Sequence, residues 1–208
     1  MSEELEIVHS EIASCTKCDL HKGRNRAVPG EGPIGAQVMF VGEGPGETED
    51  REGRPFVGAA GKFLTELLAS VGLERNRVFI TNIVKCRPPA NRAPKQVEVN
   101  TCNPYLEAQV RLVAPKVICP LGTPAIKTLM GQDYSAGQVH GKPFRGQGRT
   151  LLPLYHPAAA LYDASLRGVM LDDIKLLKEL IDEKPPRESL SRAGEEKNAK
   201  PEALQKWL

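Results

Sequence analysis

The sequence predicts an α/β fold in which helices cover both faces of a mainly parallel sheet. Short apolar runs alternate along the chain with longer segments whose apolar residues recur at helical spacing. Such alternation is typical of parallel strands joined by helices. The first run, Val38 to Val41, passes directly into the glycine-rich turn Gly42 to Gly46. Strands buried on both faces commonly end in such a turn, and open α/β sheets bind ligands at that end.

The same patterns predict four strands and five helices. The predicted strands are Gln37 to Val41, Val78 to Val84, Lys116 to Cys119, and Thr150 to Tyr155. The predicted helices are an N-terminal segment with Leu5, Val8 and Ile12 on one face, and then Gly58 to Val71, Val97 to Val113, Pro124 to Met130, and Leu166 to Leu180. The basic loop Lys85 to Arg92 contains two prolines, which oppose both helix and central strand.

Length and composition favour one globular domain followed by a polar tail. The chain has 208 residues, 40% of them apolar, which suffices for one ordinary core. From Asp182 onward Lys, Glu, Pro, Ser and Asn dominate, so we predict a domain over residues 1–182 and a disordered tail over 183–208. No apolar run is long enough to span a bilayer, and we expect an intracellular protein. The net charge of +2 neither requires nor excludes a nucleic-acid partner.

The glycine turn does not fit a dinucleotide site. Its order is G-x-G-x-G with Pro45 in the middle, and Glu47, Glu49 and Asp50 follow. These carboxylates would repel a pyrophosphate, so we expect a less anionic ligand here.

The cysteines are spaced for a metal centre. Cys15, Cys18, Cys86 and Cys102 give the pattern C-x2-C-x67-C-x15-C. A C-x-x-C turn with two distant cysteines supplies the four sulfurs that both zinc and iron-sulfur clusters accept, and the spacing does not decide between them. With four protein ligands the centre would have a structural role. Cys119, inside the apolar run VICPL, is predicted to be a core residue.

Several motifs together closely resemble the iron-sulfur uracil-DNA glycosylases known as family 4. The motifs are GEGPG at 42–46, EGRPFVG at 52–58, TNIVKCRPP at 81–89 and YHPAAAL at 155–161, together with the four cysteines. The resemblance covers roughly residues 10–180. It implies a three-layer α/β/α sandwich around a parallel four-stranded sheet, a 4Fe-4S cluster on Cys15, Cys18, Cys86 and Cys102, and hydrolysis of the bond between uracil and deoxyribose in DNA.

The resemblance also implies roles for seven pocket residues. Phe56 matches the family's stacking position, and Asn82 matches the residue that pairs with the edge of uracil. His156 matches the histidine that donates a hydrogen bond to uracil O2. Glu43 and Gly44 match the water-site motif, in which the carboxylate orients water, stabilises the sugar cation or crowds the C5 position. Glu49 and Asn91 align with residues that support activity.

DNA contacts are expected on one side of this pocket. The segment Pro157 to Leu161 resembles the loop that enters the minor groove, with Leu161 as the plug. Lys85, Arg87 and Arg167 are candidate phosphate contacts, as are Arg92 and Arg145. We expect a monomer that acts on uracil in single- and double-stranded DNA.

Three other interpretations follow from the sequence. Gln205 and Leu208 resemble the first two anchors of a peptide that docks on the DNA sliding clamp, although a plain short helix fits too. A variant of the family that only binds uracil carries a histidine in an inserted basic loop, and residues 88–94 contain no histidine. A zinc-stabilised nucleotide-binding module without DNA activity is the third.

Overall fold

A five-stranded sheet forms the centre of the molecule. The computed structural model describes residues 3–131, 133–146, 148–183 and 207. The strands are β1 (Val38–Gly42), β2 (Phe79–Asn82), β3 (Val117–Pro120), β4 (Phe144–Arg145) and β5 (Thr150–Leu151), in the order β2-β1-β3-β5-β4. The four predicted strands are therefore confirmed.

The strand order creates a crevice at one edge of the sheet. β1 pairs in parallel with β2 on one side and β3 on the other, so that Phe40 lies opposite both Ile80 and Cys119. β5 continues the parallel sheet next to β3, whereas β4 is antiparallel at the outer edge. The chain passes from β1 to β2 on one side of β1 and then crosses to β3 on the other side. At such a reversal of strand order, the carboxyl ends of the strands open onto a common crevice. The two-residue β4 is too short to give an alternating pattern and was not predicted.

Two apolar cores, one on each face of the sheet, explain the uninterrupted apolar strands. Successive side chains of a strand point to opposite faces. Met39 and Val41 belong to one core, and Val38 and Phe40 belong to the other. All five residues of β1 are buried, as expected for a strand covered on both sides. The architecture is therefore a three-layer α/β/α arrangement.

Eight α-helices in the described residues complete the two outer layers. They are α1 (Glu3–Ser14), α2 (Glu47–Glu52), α3 (Ala59–Ser70), α4 (Gln96–Val113), α5 (Thr123–Met130), α6 (Ala136–Val139), α7 (Ala159–Tyr162) and α8 (Leu166–Asp182). Helices α1, α4 and α5 supply the first core, and α3 and α8 supply the second. The five predicted helices are confirmed. Helices α2, α6 and α7 were missed because segments of four to six residues show no helical periodicity.

Most of the predicted disordered tail, residues 184–206 and 208, lies outside the described residues. This part of the tail includes Gln205 and Leu208, on which the clamp-docking interpretation rests. Trp207, the single tryptophan of the sequence, is described and is buried in the first core. Among the described residues, no helix combines the length and apolarity needed to cross a membrane.

Candidate active site

The crevice at the carboxyl ends of the strands contains a pocket of about 330 Å³. β1 delivers Glu43 and β2 delivers Asn82, while His156 follows β5 at the same edge. All seven residues for which the family pattern implied a pocket role line this cavity: Glu43, Gly44, Glu49, Phe56, Asn82, Asn91 and His156. A cavity of this size suits one small ring compound with most of its surface enclosed.

Asn82 presents an unused hydrogen-bond acceptor to the pocket. Its side chain is 1% exposed, and its Oδ1 atom has no hydrogen-bond partner. Buried polar atoms are nearly always paired, because an unpaired one loses the hydrogen bonds it would make to water. Asn82 Oδ1 and His9 Nε2 are the two unpaired buried side-chain atoms among the described residues. Since Asn82 lines the cavity, a ligand N–H is the natural partner for its oxygen.

His156 is a neutral imidazole with a fixed tautomer. The backbone N–H of Ala158 donates to His156 Nδ1 over 3.1 Å, so Nδ1 acts as the acceptor. The proton of a neutral imidazole then resides on Nε2, which becomes a donor. Burial lowers the pKa of His156 to about 4, a shift that the charge of Glu49 only partly opposes. Near neutral pH the pocket therefore contains an uncharged N–H donor at this position.

Phe56 forms one wall of the pocket and is 6% exposed. Its ring lies 5.4 Å from the His156 ring, between centroids. Its backbone has φ 51°, a left-handed conformation that costs a non-glycine residue free energy. The close approach of Gly61 in α3 maintains this conformation, since a Cβ on Gly61 would lie 1.8 Å from the carbonyl oxygen of Phe56. Although Phe56 belongs to the second apolar core, its ring also faces the cavity.

The two pocket glutamates differ in how their carboxylates are used. Glu49 Oε1 accepts hydrogen bonds from the backbone N–H groups of Val57 (2.9 Å) and Gly58 (2.8 Å). It therefore fixes the Phe56 loop and the start of α3 to α2. Burial raises the pKa of Glu43 above its ordinary value. A carboxylate with a raised pKa accepts a proton more readily, which is the property required of a general base.

Asn91 lies at the rim of the pocket and orders the proline-containing loop. Its Oδ1 accepts a hydrogen bond of 2.8 Å from Arg87 Nε, and its backbone has φ 54°. Asparagine tolerates this left-handed conformation better than most residues. Asn91 and Arg87 thus stabilise the loop that leads from Cys86 to the pocket.

Four cysteines gather behind this loop. Cys86 interacts electrostatically with Cys15 and Cys18, and Cys102 interacts with Cys86 and Cys18. Cys119 is fully buried in the second core, as predicted, and is not part of this group. Within the described ranges, no three residues among His, Cys, Asp and Glu are arranged to hold a single metal ion.

The surroundings of the cysteine sulfurs suit a negatively charged thiolate centre. Arg24 Nη1 donates to Cys86 Sγ over 3.0 Å, and the backbone N–H of Lys85 donates to Cys102 Sγ over 3.3 Å. Without a metal, burial raises the pKa of Cys102 to about 11, so metal binding must displace its proton. Four neighbouring cysteines, two of which accept hydrogen bonds from a guanidinium or a backbone N–H group, fit an iron-sulfur cluster.

Comparison with known proteins identifies the family. A family model described as Uracil DNA glycosylase superfamily matches residues 29–180. The chain belongs to this superfamily. It is 48% identical to the type-4 uracil-DNA glycosylase of Sulfurisphaera tokodaii over 86% of the chain and 85% of that protein. It is also 46% identical to the type-4 enzyme of Archaeoglobus fulgidus, over 88% of the chain and 96% of that protein. The resemblance to family 4 is confirmed.

Of the residues expected to contact DNA, Lys85 does not fit. Its side chain is 1% exposed, and Nζ donates to Thr81 Oγ1 (2.6 Å), Asn82 O (2.7 Å) and Gln109 Oε1 (2.7 Å). An ammonium group held by three internal acceptors cannot reach a phosphate, so this prediction was wrong. The sequence places Lys85 in a basic loop and gives no sign that its side chain turns inward.

The remaining DNA candidates lie near the surface, with one exception. Leu161 and Tyr162 on α7 are 48% and 93% exposed, whereas Pro157 is buried and offers little surface for contact. Arg167 is half-exposed, with its guanidinium carbon 4.3 Å from the centre of the Phe63 ring. Their contacts with DNA remain predictions.

The sequence analysis missed three contributors to the site. Gly61 could have been noticed as a glycine inside a predicted helix, where glycine lowers stability unless packing requires it. Neither the backbone N–H of Ala158 nor the contact of Arg24 with Cys86 leaves a sequence signal. The first is a main-chain group two residues after His156, and the second joins residues 62 positions apart in the sequence.

Replacing Gly61 with alanine should destabilise the protein by about 1–3 kcal/mol, because the new Cβ would overlap the Phe56 carbonyl. The matched control is Gly168→Ala in α8, where a Cβ would meet nothing within 4 Å. That change should raise stability by about 0.5–1 kcal/mol. Urea unfolding of both variants checks the prediction, and equal effects of the two changes would contradict it.

Stability should depend on pH through His156. Its folded-state pKa lies below the ordinary value of 6.5, so between about pH 6.5 and pH 4 the folded chain binds fewer protons than the unfolded chain. The contribution of the neutral ring is fully present above pH 6.5 and is lost as pH falls through this window, by on the order of 3 kcal/mol. Urea unfolding at pH 7 and pH 4.5 should show a smaller pH dependence for His156→Asn than for the unmodified chain. An identical dependence would refute the assignment.

Proposed function

We propose that this protein is a DNA-repair glycosylase that hydrolyses the N-glycosidic bond of deoxyuridine in DNA. The products are free uracil and an abasic site, as in the first step of base excision repair. The observation that carries the proposal is the unpaired Asn82 Oδ1 in a pocket that also contains a stacking ring and a neutral imidazole donor. The membership in the uracil-DNA glycosylase superfamily supports it.

Recognition begins when the target nucleotide leaves the helix. A base inside a duplex is unreachable, so the enzyme must flip it into the pocket and read its pairing edge. Asn82 Oδ1 accepts the N3–H of uracil, while the amide nitrogen of Asn82 donates to O4. Cytosine presents the reverse pattern, an acceptor at N3 and a donor at N4. The buried amide would therefore reject cytosine, because both contacts would be mismatched.

Phe56 provides the face on which the base stacks. Its ring is held by the Gly61 contact and by the hydrogen bonds of Glu49 to Val57 and Gly58. Because these contacts are all made within the protein, the base enters a preformed site and little side-chain entropy is lost on binding.

His156 stabilises the departing base. When the bond between C1′ of the sugar and N1 of uracil breaks, the electron pair goes to uracil and negative charge develops on O2. The Nε2–H of His156 donates a hydrogen bond to this oxygen without transferring its proton. A neutral donor placed for the transition state lowers the barrier electrostatically, an effect typically worth about 10²–10³ in rate.

Glu43 is the candidate for activating the attacking water. Water adds to C1′ of the sugar and loses a proton, which the carboxylate of Glu43 accepts. Its pocket position and raised pKa support this role. In Glu49, by contrast, Oε1 already accepts hydrogen bonds from two backbone N–H groups. The negative charge of Glu43 also stabilises the cation-like sugar, and its side chain limits the room for a methyl group at C5. Gly44 lines the pocket beside it.

DNA binds across the rim of the pocket. Leu161 fills the space that the flipped base leaves, since it is an exposed apolar residue on α7 directly after the His156 segment. Arg87 and Arg167 contact phosphates, and each contact used should add roughly one unit to the salt dependence of binding. The pocket reads a single extruded base, so uracil in single-stranded and in duplex DNA are both substrates.

Cys15, Cys18, Cys86 and Cys102 would hold a 4Fe-4S cluster. With all four cysteines as ligands, the cluster would have a structural role and would fix the N-terminal segment to the loop and helix that follow β2. Support comes from the mutual proximity of the four sulfurs and from the donors on Cys86 and Cys102.

Three further proposals concern the setting of the enzyme. It acts as a monomer inside the cell, where its DNA substrate lies. Its last residues dock on the DNA sliding clamp, and the spacing of Gln205 and Leu208 supports this contact.

Uracil-containing DNA tests the function directly. Alkali should cleave the DNA after incubation with the iron-loaded protein, and only where uracil was present. Asn82→Asp should lower uracil excision by about 10²–10⁴-fold and make cytosine excision detectable, because the edge pattern changes. Asn100→Asp brings the same charge to an exposed part of α4 and should retain full activity. Unchanged rate and base choice in Asn82→Asp would refute the pocket assignment, and absence of uracil-dependent scission would refute the function.

The metal centre is tested with two cysteine variants. The purified protein should contain iron and absorb near about 400 nm, whereas a zinc protein would be colourless. Cys86→Ala should lose this absorbance and most of its iron. Cys119→Ala is the matched control, because Cys119 is buried in the other core and should leave the iron content unchanged. Equal iron in both variants would contradict the ligand set.

A further inference from the structure

A second concavity lies behind the active site, between the first half of α4 and α5. This α4/α5 groove has a volume of about 660 Å³. Its lining includes Ile83 after β2, Val99 and Asn103 of α4, and Pro124 and Thr128 of α5. Trp207, from the end of the chain, lines the same groove.

Trp207 is bound here as an anchor. Its side chain is 3% exposed and belongs to the first apolar core, together with Ile83 and Val99. A tryptophan buries about 150–250 Å² when it is enclosed in this way. Trp207 has the largest side chain among the last residues of the chain, and it is the single tryptophan of the sequence.

The connection to α8 is long enough for this contact within one molecule. Glu183 lies at the start of β3, where Lys116 Nζ donates to its carbonyl oxygen over 2.6 Å. The groove begins beyond the end of β3, about 13 Å further along the strand direction. The 23 residues between Glu183 and Trp207 would span roughly 25 Å even as a random coil. A tether of this length gives the chain end an effective concentration in the millimolar range.

We propose that the α4/α5 groove is a docking site for the chain's own C-terminal peptide, with Trp207 as its anchor. Between separate molecules this contact would be weak. Because the tether keeps the peptide close to the groove, the docked state is well populated within one molecule. Any partner that binds the last residues of the chain must first extract Trp207. Docking of Trp207 in the groove and binding of the last residues by a partner would therefore compete.

Docking also supports the back of the uracil pocket. Ile83 directly follows Asn82, α4 carries Cys102, and α5 begins beside the His156 segment, where the backbone N–H of Gly122 donates to Leu154 O. Trp207 thus packs against elements that position a pocket side chain and a cysteine ligand. Its release should lower the melting temperature by several degrees, as loss of a large buried side chain does in a chain of this size.

Fluorescence of the single tryptophan tests the proposal on the intact protein. The protein is excited at a wavelength where tyrosine does not absorb. The native chain should then emit at a shorter wavelength than the same chain in denaturant. Acrylamide should quench the native emission several-fold less than the emission of the denatured chain. Thr128→Arg places a long cation in the groove and should shift the emission to longer wavelength and raise quenching. Thr65→Arg is the matched control, because Thr65 makes the same hydroxyl contact to the carbonyl four residues earlier but lies on α3.

A second measurement separates docking within one molecule from other contacts. Full-length Trp207→Ala contains no tryptophan, so a synthetic peptide of residues 199–208 is then the only such fluorophore. Its emission should shift to shorter wavelength at about millimolar receptor concentration. The double variant Trp207→Ala, Thr128→Arg should abolish the shift. Trp207→Phe, with an aromatic ring retained, should keep most of the melting temperature that Trp207→Ala loses.

Three outcomes would overturn the proposal. They are native emission identical to that of denatured protein, no effect of Thr128→Arg in a chain with unchanged circular dichroism, and a shielded emission that disappears on dilution. The last would show that Trp207 docks on a second copy. None of these measurements involves DNA, so the result is independent of whether the chain excises uracil.

Discussion

The ammonium group of Lys85 connects the pocket with the cysteine group. It is buried and donates to Thr81 and to the backbone carbonyl of Asn82 on β2, and to Gln109 on α4. Gln109 in turn donates to the carbonyl of Pro29 over 2.7 Å. A buried charge is tolerated only where its donors are satisfied, so removal of one acceptor would leave an unpaired donor at the end of β2. This network fixes three segments relative to one another: the loop before β1, the backbone of Asn82, and helix α4, which carries Cys102.

The sheet and the two helical layers could be predicted from the sequence, because both depend on residue patterns within single segments. Four strands and five helices could be predicted from apolar runs and helical spacing. The short α2 could not, because ETEDRE has no apolar residue, and its end at Gly53 depends on a left-handed backbone. β4 could not either, since two residues at a sheet edge carry no period.

The pocket was predicted more completely than the contacts that hold it. Family motifs located seven of the lining residues, but they did not show why Phe56 has a strained backbone or why Nδ1 of His156 is an acceptor. These features arise from Gly61 and from the N–H of Ala158, which act through backbone atoms. Lys85 shows the opposite failure: a charged side chain in a basic loop has the sequence signature of a surface residue, and only the fold reveals its acceptors.

The order of the cysteines along the chain has a consequence for biosynthesis. Cys15 and Cys18 leave the ribosome early, whereas Cys102 follows after more than eighty further residues. Chains elongate at about 5–20 residues per second, so the first two thiols wait for several seconds before their partners emerge. When Cys102 emerges from the ribosome, β3 and β5 have not yet emerged, because both follow it in the chain. The nascent N-terminal thiols are therefore exposed to oxidants and to competing metals at a stage when no folded protein surrounds them.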